Sequence, residues 1–264
     1  MQISLNFTKT VHENAATYFE KAKKAKKKLE GAKKALEIST QKLEEALKEK
    51  QKADMEISEK TAQLHRGARK KEWYEKFHWF ISSEGFLVIG GRDAITNELV
   101  IKKHTAPKDI VFHTDLQGSP FFVIKTEGKQ PEDKTLTETA AATAIYSRAW
   151  KLGFVNSKVG FVAPEQVTKT AKAGEYIQRG AFVIQGKASY VEHDMRFAIG
   201  VDAKGCIIAG PYIAVKAHAE KMLEIVQGDQ KPSDLAKQVK ALLKAGSLDE
   251  IIRMLPVGHG KIKK

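Results

Sequence analysis

One cysteine in 264 residues, Cys206, excludes a disulfide framework and points to a reducing compartment. It lies in the apolar run Cys206-Ile207-Ile208-Ala209, where a small buried hydrophobe fits. No apolar run approaches the roughly 20 residues that span a bilayer, and Met1-Gln2-Ile3-Ser4 is not the basic start of a signal peptide. A cytoplasmic protein without a membrane partner is therefore expected. Proline is missing from Val11 to about Gly67, and glycine occurs inside that stretch only as Gly31, so little there interrupts a helix. Acidic residues are in deficit, 32 against 45 Lys and Arg, for a formal net charge of +13. That balance favours polyanionic partners, without choosing among RNA, DNA and an anionic surface. The sequence has no His-Glu-x-x-His, no clustered cysteine ligands, no phosphate loop ending in Gly-Lys and no Gly-x-Ser-x-Gly elbow.

What is present begins with an arm. Residues 1–10 read as a short strand remnant, from the alternation in Gln2–Phe7, and Thr10 or Asn14 can cap the helix that follows. Residues 11–70 carry a heptad in which Ala22, Leu29, Leu36, Leu43, Lys50, Ile57 and Leu64 share one position. Ala25, Ala32, Ser39, Ala46, Ala53 and Lys60 share the other, a thin seam that implies close helix approach. Leu29, Leu36, Leu43, Ile57 and Leu64 are the expected coiled-coil interface. A solvated single helix held by Lys–Glu pairs is the alternative. Lysines crowd residues 21–34, and Arg66, Arg69, Lys70 and Lys71 close the arm.

At Trp73 the pattern changes. Trp73, Tyr74, Phe77, Trp79 and Phe80 form an aromatic cluster that predicts packing rather than exposure. Buried strands are predicted at Phe86–Ile89, Asp109–Asp115 and Phe121–Lys125, and Leu99–His104 is a strand or a short helix after Asn97. One helix is predicted over Thr135–Lys151, then strands at Lys158–Ala163, Ala181–Ile184, Met195–Val201 and Cys206–Ile208. Pro211–Lys216 reads as an edge strand, followed by helices near Asp234–Ala245 and Leu248–Met254 and a basic tail. The expected fold class is α+β: a long N-terminal coiled-coil helix, a compact mixed domain over 71–216, and a helical C-terminal extension with its basic tail over 217–264.

His113 and Asp115, at i and i+2, would share one side of a strand and could share a proton or a metal. A buried hydrogen-bonded pair that fixes the strand, or a direct RNA contact, explains the same residues. His-x-Asp alone does not make an enzyme, and no catalysis, cofactor or metal is expected.

Several motifs in one order narrow the choice. Trp73–Ser83, Gly90-Gly91-Arg92-Asp93-Ala94 with Asn97-Glu98, His113-Thr114-Asp115 with Gly118-Ser119-Pro120, Pro164–Lys169, and Gly174-Glu175-Tyr176 with Gly180–Ile184 closely resemble the RNA-binding domain of the NFACT family. The family includes the RqcH-type ribosome quality-control factors. His113-Thr114-Asp115 departs from the more usual His-Ala-Asp. Residues 13–35 resemble the helix by which the family's middle coiled coil returns to that domain, while the N-terminal domain with its tRNA-contacting Asp-Arg motif has no counterpart here.

The resemblance implies a non-enzymatic factor that associates with the large ribosomal subunit through rRNA, tRNA or peptidyl-tRNA and helps rescue stalled ribosomes. RNA contacts are expected among Lys70, Lys71, Arg92, Asp93, Asn97, Lys102, Lys103, His104, His113, Asp115, Lys125, Arg148, Lys169 and Lys187. The arm is expected to pair with a second copy or with a separately encoded N-terminal half, which makes a coiled-coil scaffold the competing reading.

Overall fold

A computed structural model describes residues 4–64, 72–116, 118–155, 157–170 and 177–263, in two units that meet in sequence at residues 70 and 71. The first unit is essentially one helix, α1 (Val11–Leu64), whose 54 residues extend about 80 Å at 1.5 Å each. Thr10 and Glu13 cap it reciprocally: the Glu13 amide donates to Thr10 Oγ1 at 3.3 Å, and the Thr10 amide donates to Glu13 Oε2 at 2.7 Å. Among the described residues of the expected strand before it, none is in a strand, and residues 1–3 lie outside those described. Residues 4–10 are coil and turn, tied down by Asn14, whose Oδ1 accepts from the Asn6 amide at 2.9 Å. A lone strand has no neighbour to satisfy its backbone, whereas this turn satisfies it locally.

Among the described residues the second unit has three antiparallel sheets. After a 3-10 turn at Trp73–Lys76 come β1 (His78–Ile81), β2 (Leu87–Gly90), α2 (Ala94–Lys103), β3 (Ile110–Thr114) and β4 (Phe122–Lys125). Then follow α3 (Asp133–Ile145), α4 (Arg148–Lys151), β5 (Val159–Val162), β6 (Val167–Thr168), β7 (Val183–Ile184) and β8 (Ser189–Tyr190). The chain closes with β9 (Phe197–Asp202), β10 (Ile207–Pro211), α5 (Tyr212–His218), β11 (Ala219–Gln230), α6 (Pro232–Leu243), α7 (Leu248–Met254) and β12 (Gly260–Ile262). The sheets run β1-β2-β4-β3-β5-β8, β10-β9-β11-β12 and β6-β7. The fold class is α+β, as the sequence predicts.

Consecutive strand residues face opposite ways, and the six-stranded sheet is apolar on both faces. Val88, Phe112, Phe122 and Ile124 pack with Ala140 and Ala144 of α3, while Ile89, Val111, Phe121 and Val123 pack on the other side with Val100 of α2. Ala141 and Ile145 of α3 join Phe197, Ile199 and Ile225 of the four-stranded sheet, so α3 is buried between the two sheets. Its threonines fit there because Thr139 and Thr143 donate to the carbonyls four residues earlier, each at 2.7 Å.

Three expectations give way. The helix over Thr135–Lys151 breaks after Ile145: the Ser147 hydroxyl donates to the Ala144 carbonyl at 2.7 Å and accepts from the Ala149 amide at 3.1 Å, starting α4. Pro211–Lys216 is not an edge strand. Pro211 ends β10 and Tyr212 starts α5, a short apolar run whose period cannot separate the two states. Residues 217–264 are not wholly helical either, since β11 contributes 12 residues to the second sheet despite the helix formers Glu220, Lys221, Met222, Leu223 and Glu224. Pairing with β9 and β12 and the burial of Ile225 outweigh that propensity. Among the described residues no helix is long and apolar enough to cross a membrane.

Candidate nucleic-acid interface

A cleft of about 760 Å³ opens where β2 hands over to α2. Two glycines allow the handover. A Cβ on Gly90 would meet the Phe122 ring at 2.5 Å, and one on Gly91 would lie 1.9 Å from Asn97 Oδ1. Asp93 then caps α2: its Oδ1 accepts from the Thr96 amide at 2.8 Å, while Thr96 Oγ1 accepts from the Arg92 and Asp93 amides at 2.8 and 2.9 Å. Asn97 pins the opposite wall, accepting from the Phe121 amide at 3.0 Å. Arg92 donates from Nη2 to the Phe77 carbonyl at 2.7 Å, and its buried Nε has no partner among the described residues. Burial, with Arg253 adding to it, lowers the pKa of its guanidinium.

The floor is aromatic. His78 stacks on Tyr146 with ring centroids 3.9 Å apart, and the Tyr146 hydroxyl donates to the Met254 carbonyl at 2.7 Å. Burial first, and the Arg92 charge second, hold His78 neutral, its pKa lowered to about 3. Burial pushes the Tyr146 phenol up. His113 stacks on Phe121 at 4.2 Å, and its pKa too is lowered, chiefly by burial. Around the rim stand the exposed Arg148, Lys151 and Arg179. With Arg92 they make four cations facing the cleft against one carboxylate, Asp93, which already serves as a helix cap.

Five of the expected RNA-contact residues thus meet here: Arg92, Asp93, Asn97, His113 and Arg148. The others among the described residues stand elsewhere. Lys125 donates to the His104 carbonyl at 2.8 Å and pairs with the buried Asp109, so its ammonium is held inside the fold. Lys102 and Lys169 pair with Glu98 at 2.6 and 3.1 Å and together hold that carboxyl down to about 2. His104 stacks on Trp73 at 4.7 Å, beside the exposed Lys103. Lys187 is exposed, and its carbonyl accepts from Gln166 Nε2 at 3.2 Å.

Asp115 lies exposed beyond the end of β3, and among the described residues no hydrogen bond joins it to His113, so the expected pair is not formed. Lys70 and Lys71, and with them Arg66, Arg69 and Gly174–Tyr176, lie outside the described residues. In α1, Leu29, Leu36 and Leu43 are 57, 66 and 61% exposed, while the side chains of Ile57 and Leu64 are outside those described. Sequence reading missed Lys151, Arg179, His78 and Tyr146. Arg179 carried a signal, since it stands just before Gly180-Ala181-Phe182, where Gly180 has φ +78° and a Cβ would meet the Ala94 backbone at 2.5 Å. Among the described residues no group of three His, Cys, Asp or Glu side chains could hold a metal ion.

Comparison with known proteins places this cleft in a family. Residues 76–186 match the model described as "NFACT protein RNA binding domain". The chain is 42% identical over 217 residues to the "Archaeal Rqc2 homolog aRqcH" of Methanocaldococcus jannaschii, an alignment covering 79% of this chain and 32% of that protein. It is 46% identical over 125 residues to the "Ribosome quality control complex subunit NEMF homolog" of Drosophila melanogaster and 45% identical over 125 residues to the "Ribosome quality control complex subunit NEMF" of Homo sapiens, each covering 47% of this chain and 12% of that protein. The chain thus spans about a third of the length of the archaeal relative and much less of the animal ones. Residues 76–186, which supply nearly all of the cleft, thus match the RNA-binding domain of the NFACT family.

Proposed function

We propose that the chain is an RNA-binding factor of ribosome quality control that acts on the large ribosomal subunit, contacting rRNA, tRNA or peptidyl-tRNA, and supplies no catalytic group of its own. The observation that carries the reading is the cleft itself: four cations converge on a concave site inside the segment that matches an RNA-binding domain. Relatives described as ribosome quality control subunits supply the setting. Phosphate contacts from arginine and lysine hold RNA in place, while neutral groups such as His78, His113 and Asn97 read ribose or base edges. The peptide transfer is left to the ribosome.

Sedimentation of the purified chain with isolated large and small subunits across a salt series tests this reading. Co-migration with the large subunit that fades steeply as salt rises is expected; no association at any salt overturns it. The exposed Leu29, Leu36 and Leu43 favour a second reading, in which α1 pairs with a partner helix and the chain is a scaffold. Under that reading charge reversal of the cleft leaves partner capture unchanged.

A further inference from the structure

We propose that the cleft holds one extruded ribonucleotide of an RNA strand, with base and ribose against the floor at His78 and Arg92 and the phosphate at the rim between Arg148, Lys151 and Arg179. This rests on the RNA-binding reading and adds to it the form of RNA that the site accepts.

The first ground is shape. A volume of about 760 Å³ falls within the range of small-molecule sites, roughly 300–1,000 Å³. A flat basic face suffices to hold a duplex by its phosphates. A concave site of this size does nothing for a duplex, whose bases remain stacked and paired, whereas single strands, loops and bulges can splay a base into it. The second ground is the distribution of groups by depth. The exposed side chains include the cations Arg148, Lys151 and Arg179, beside Asp93, Gln178, Ala181 and Val257, and the buried ones include His78, Ser119 and Phe121, with Arg92 half-buried between them. Three of the four cations therefore sit where a backbone phosphate remains, and the aromatic surface of His78 and Phe121 sits where a base would enter.

The third ground is an unspent recognition group. His78 is only 9% exposed, it faces the cleft, and among the described residues its ring makes stacking interactions but no hydrogen bond. An imidazole that the fold leaves without a hydrogen bond keeps its donor and acceptor available to a ligand. Being neutral, it offers one donor and one acceptor, a pairing that suits a base edge or a 2′-hydroxyl and does not suit a phosphate. Tyr146, anchored on the Met254 carbonyl, fixes the plane of that ring. The walls are equally set. The backbone at Gly180 lies against Ala94, and Gly118, at φ +81°, sits beside Arg148.

The test uses the full chain and fluorescence anisotropy with a labelled single-stranded oligoribonucleotide. Its duplex, a copy with one abasic residue at each position in turn, nucleoside 5′-monophosphates and inorganic phosphate serve as competitors. The single strand is expected to bind about tenfold more tightly than the duplex at equal salt. A monophosphate is expected to compete at concentrations where inorganic phosphate does not. Ala181→Trp places bulk at an exposed position in the cleft without altering charge. It is expected to abolish both differences while leaving the salt dependence of RNA binding in place. The competition on the unaltered chain needs no variant, so a folding defect in Ala181→Trp leaves the test standing. Equal binding of single strand and duplex, with monophosphate no better than phosphate, overturns the inference and leaves the RNA-binding reading intact. Absence of RNA binding in every form overturns both.

Discussion

The two units of this chain use apolar residues in opposite ways. In α1, Leu29, Leu36 and Leu43 recur every seventh residue and stay more than half exposed, so the helix depends on local terms: alanine content and the Thr10–Glu13 cap. In the second unit, Phe112, Phe122, Phe197 and Ile199 are fully buried in continuous cores that fix two sheets around α3. A helix that makes its own hydrogen bonds tolerates open leucines; a sheet does not. The functional consequence is that a site needing side chains held within ångströms is built on the second unit, where glycine contacts and stacked rings leave little freedom.

Core truncation breaks this contrast most severely. Phe122→Ala empties a ring position between Gly90, His78 and α3 and is expected to cost about 3–5 kcal/mol, a large fraction of the roughly 5–15 kcal/mol of a typical domain. Thermal unfolding with and without the substitution measures it, and a loss under about 1 kcal/mol would contradict the packing described.

Acid separates the units next. His78 is held neutral in the folded state with a pKa near 3, against an ordinary value of 6.5, so the unfolded chain takes up a proton that the folded chain refuses. Stability from this group is complete above about pH 6.5 and is lost as pH falls toward 3. His104, His113 and His193 shift in the same direction. The melting temperature of the second unit is therefore expected to drop between pH 7 and pH 5, and His78→Phe is expected to flatten part of that slope. A slope unchanged by His78→Phe would show that the ring is accessible to protons.

A smaller effect is of opposite sign. Glu138 is 2% exposed, and its Oε2 accepts from the Ser83 amide at 2.9 Å; among the described residues its Oε1 has no partner, and neither has Oε1 of Glu84, whose charge also bears on Glu138. Burial raises the Glu138 pKa, and the stability of this carboxyl is complete below its ordinary value of 4.5 and lost as pH rises through the raised one. Glu138→Gln keeps the acceptor and removes the buried charge. It is expected to stabilise the fold by about 1 kcal/mol at pH 8 and by less at pH 5, as read from melting curves at the two values. Smallest of all, Leu36→Ala in α1 is expected to leave the unfolding transition of the second unit within about 0.5 kcal/mol of its starting value.

The legibility of the sequence follows the same division. Leu87–Gly90 and Phe122–Lys125 were readable because both faces of their sheet are buried, so the strands appear as apolar runs. The cap of α2 was latent in Asp93-Ala94-Ile95-Thr96, which left the segment after it ambiguous until Asp93 was seen to accept from Thr96. β11 was hidden by helix formers, because only partners from β9 and β12 make it a strand. Motif residues located one wall of the cleft through Arg92, Asp93, Asn97 and His113. Composition could not separate the lysines. Lys125 and Lys169 read as free cations, and only Asp109 and Glu98, distant in sequence, show them engaged. Lys151 and Arg179 looked like solvated charges until the fold brought them to one rim.

The claim that RNA is held by this rim is tested most directly by measuring RNA affinity against salt for the unaltered chain, for Arg148→Glu with Arg179→Glu, and for Lys102→Glu with Lys103→Glu. Reversing the rim is predicted to lower affinity at least about tenfold at about 0.1 M salt and to reduce the salt slope by roughly 0.7 for each phosphate no longer neutralised. Reversing Lys102 and Lys103, one of them paired with Glu98 and neither in the cleft, is predicted to change affinity much less. Equal weakening by both pairs, or weakening confined to Lys102 and Lys103, would contradict the assignment of the cleft as the RNA site.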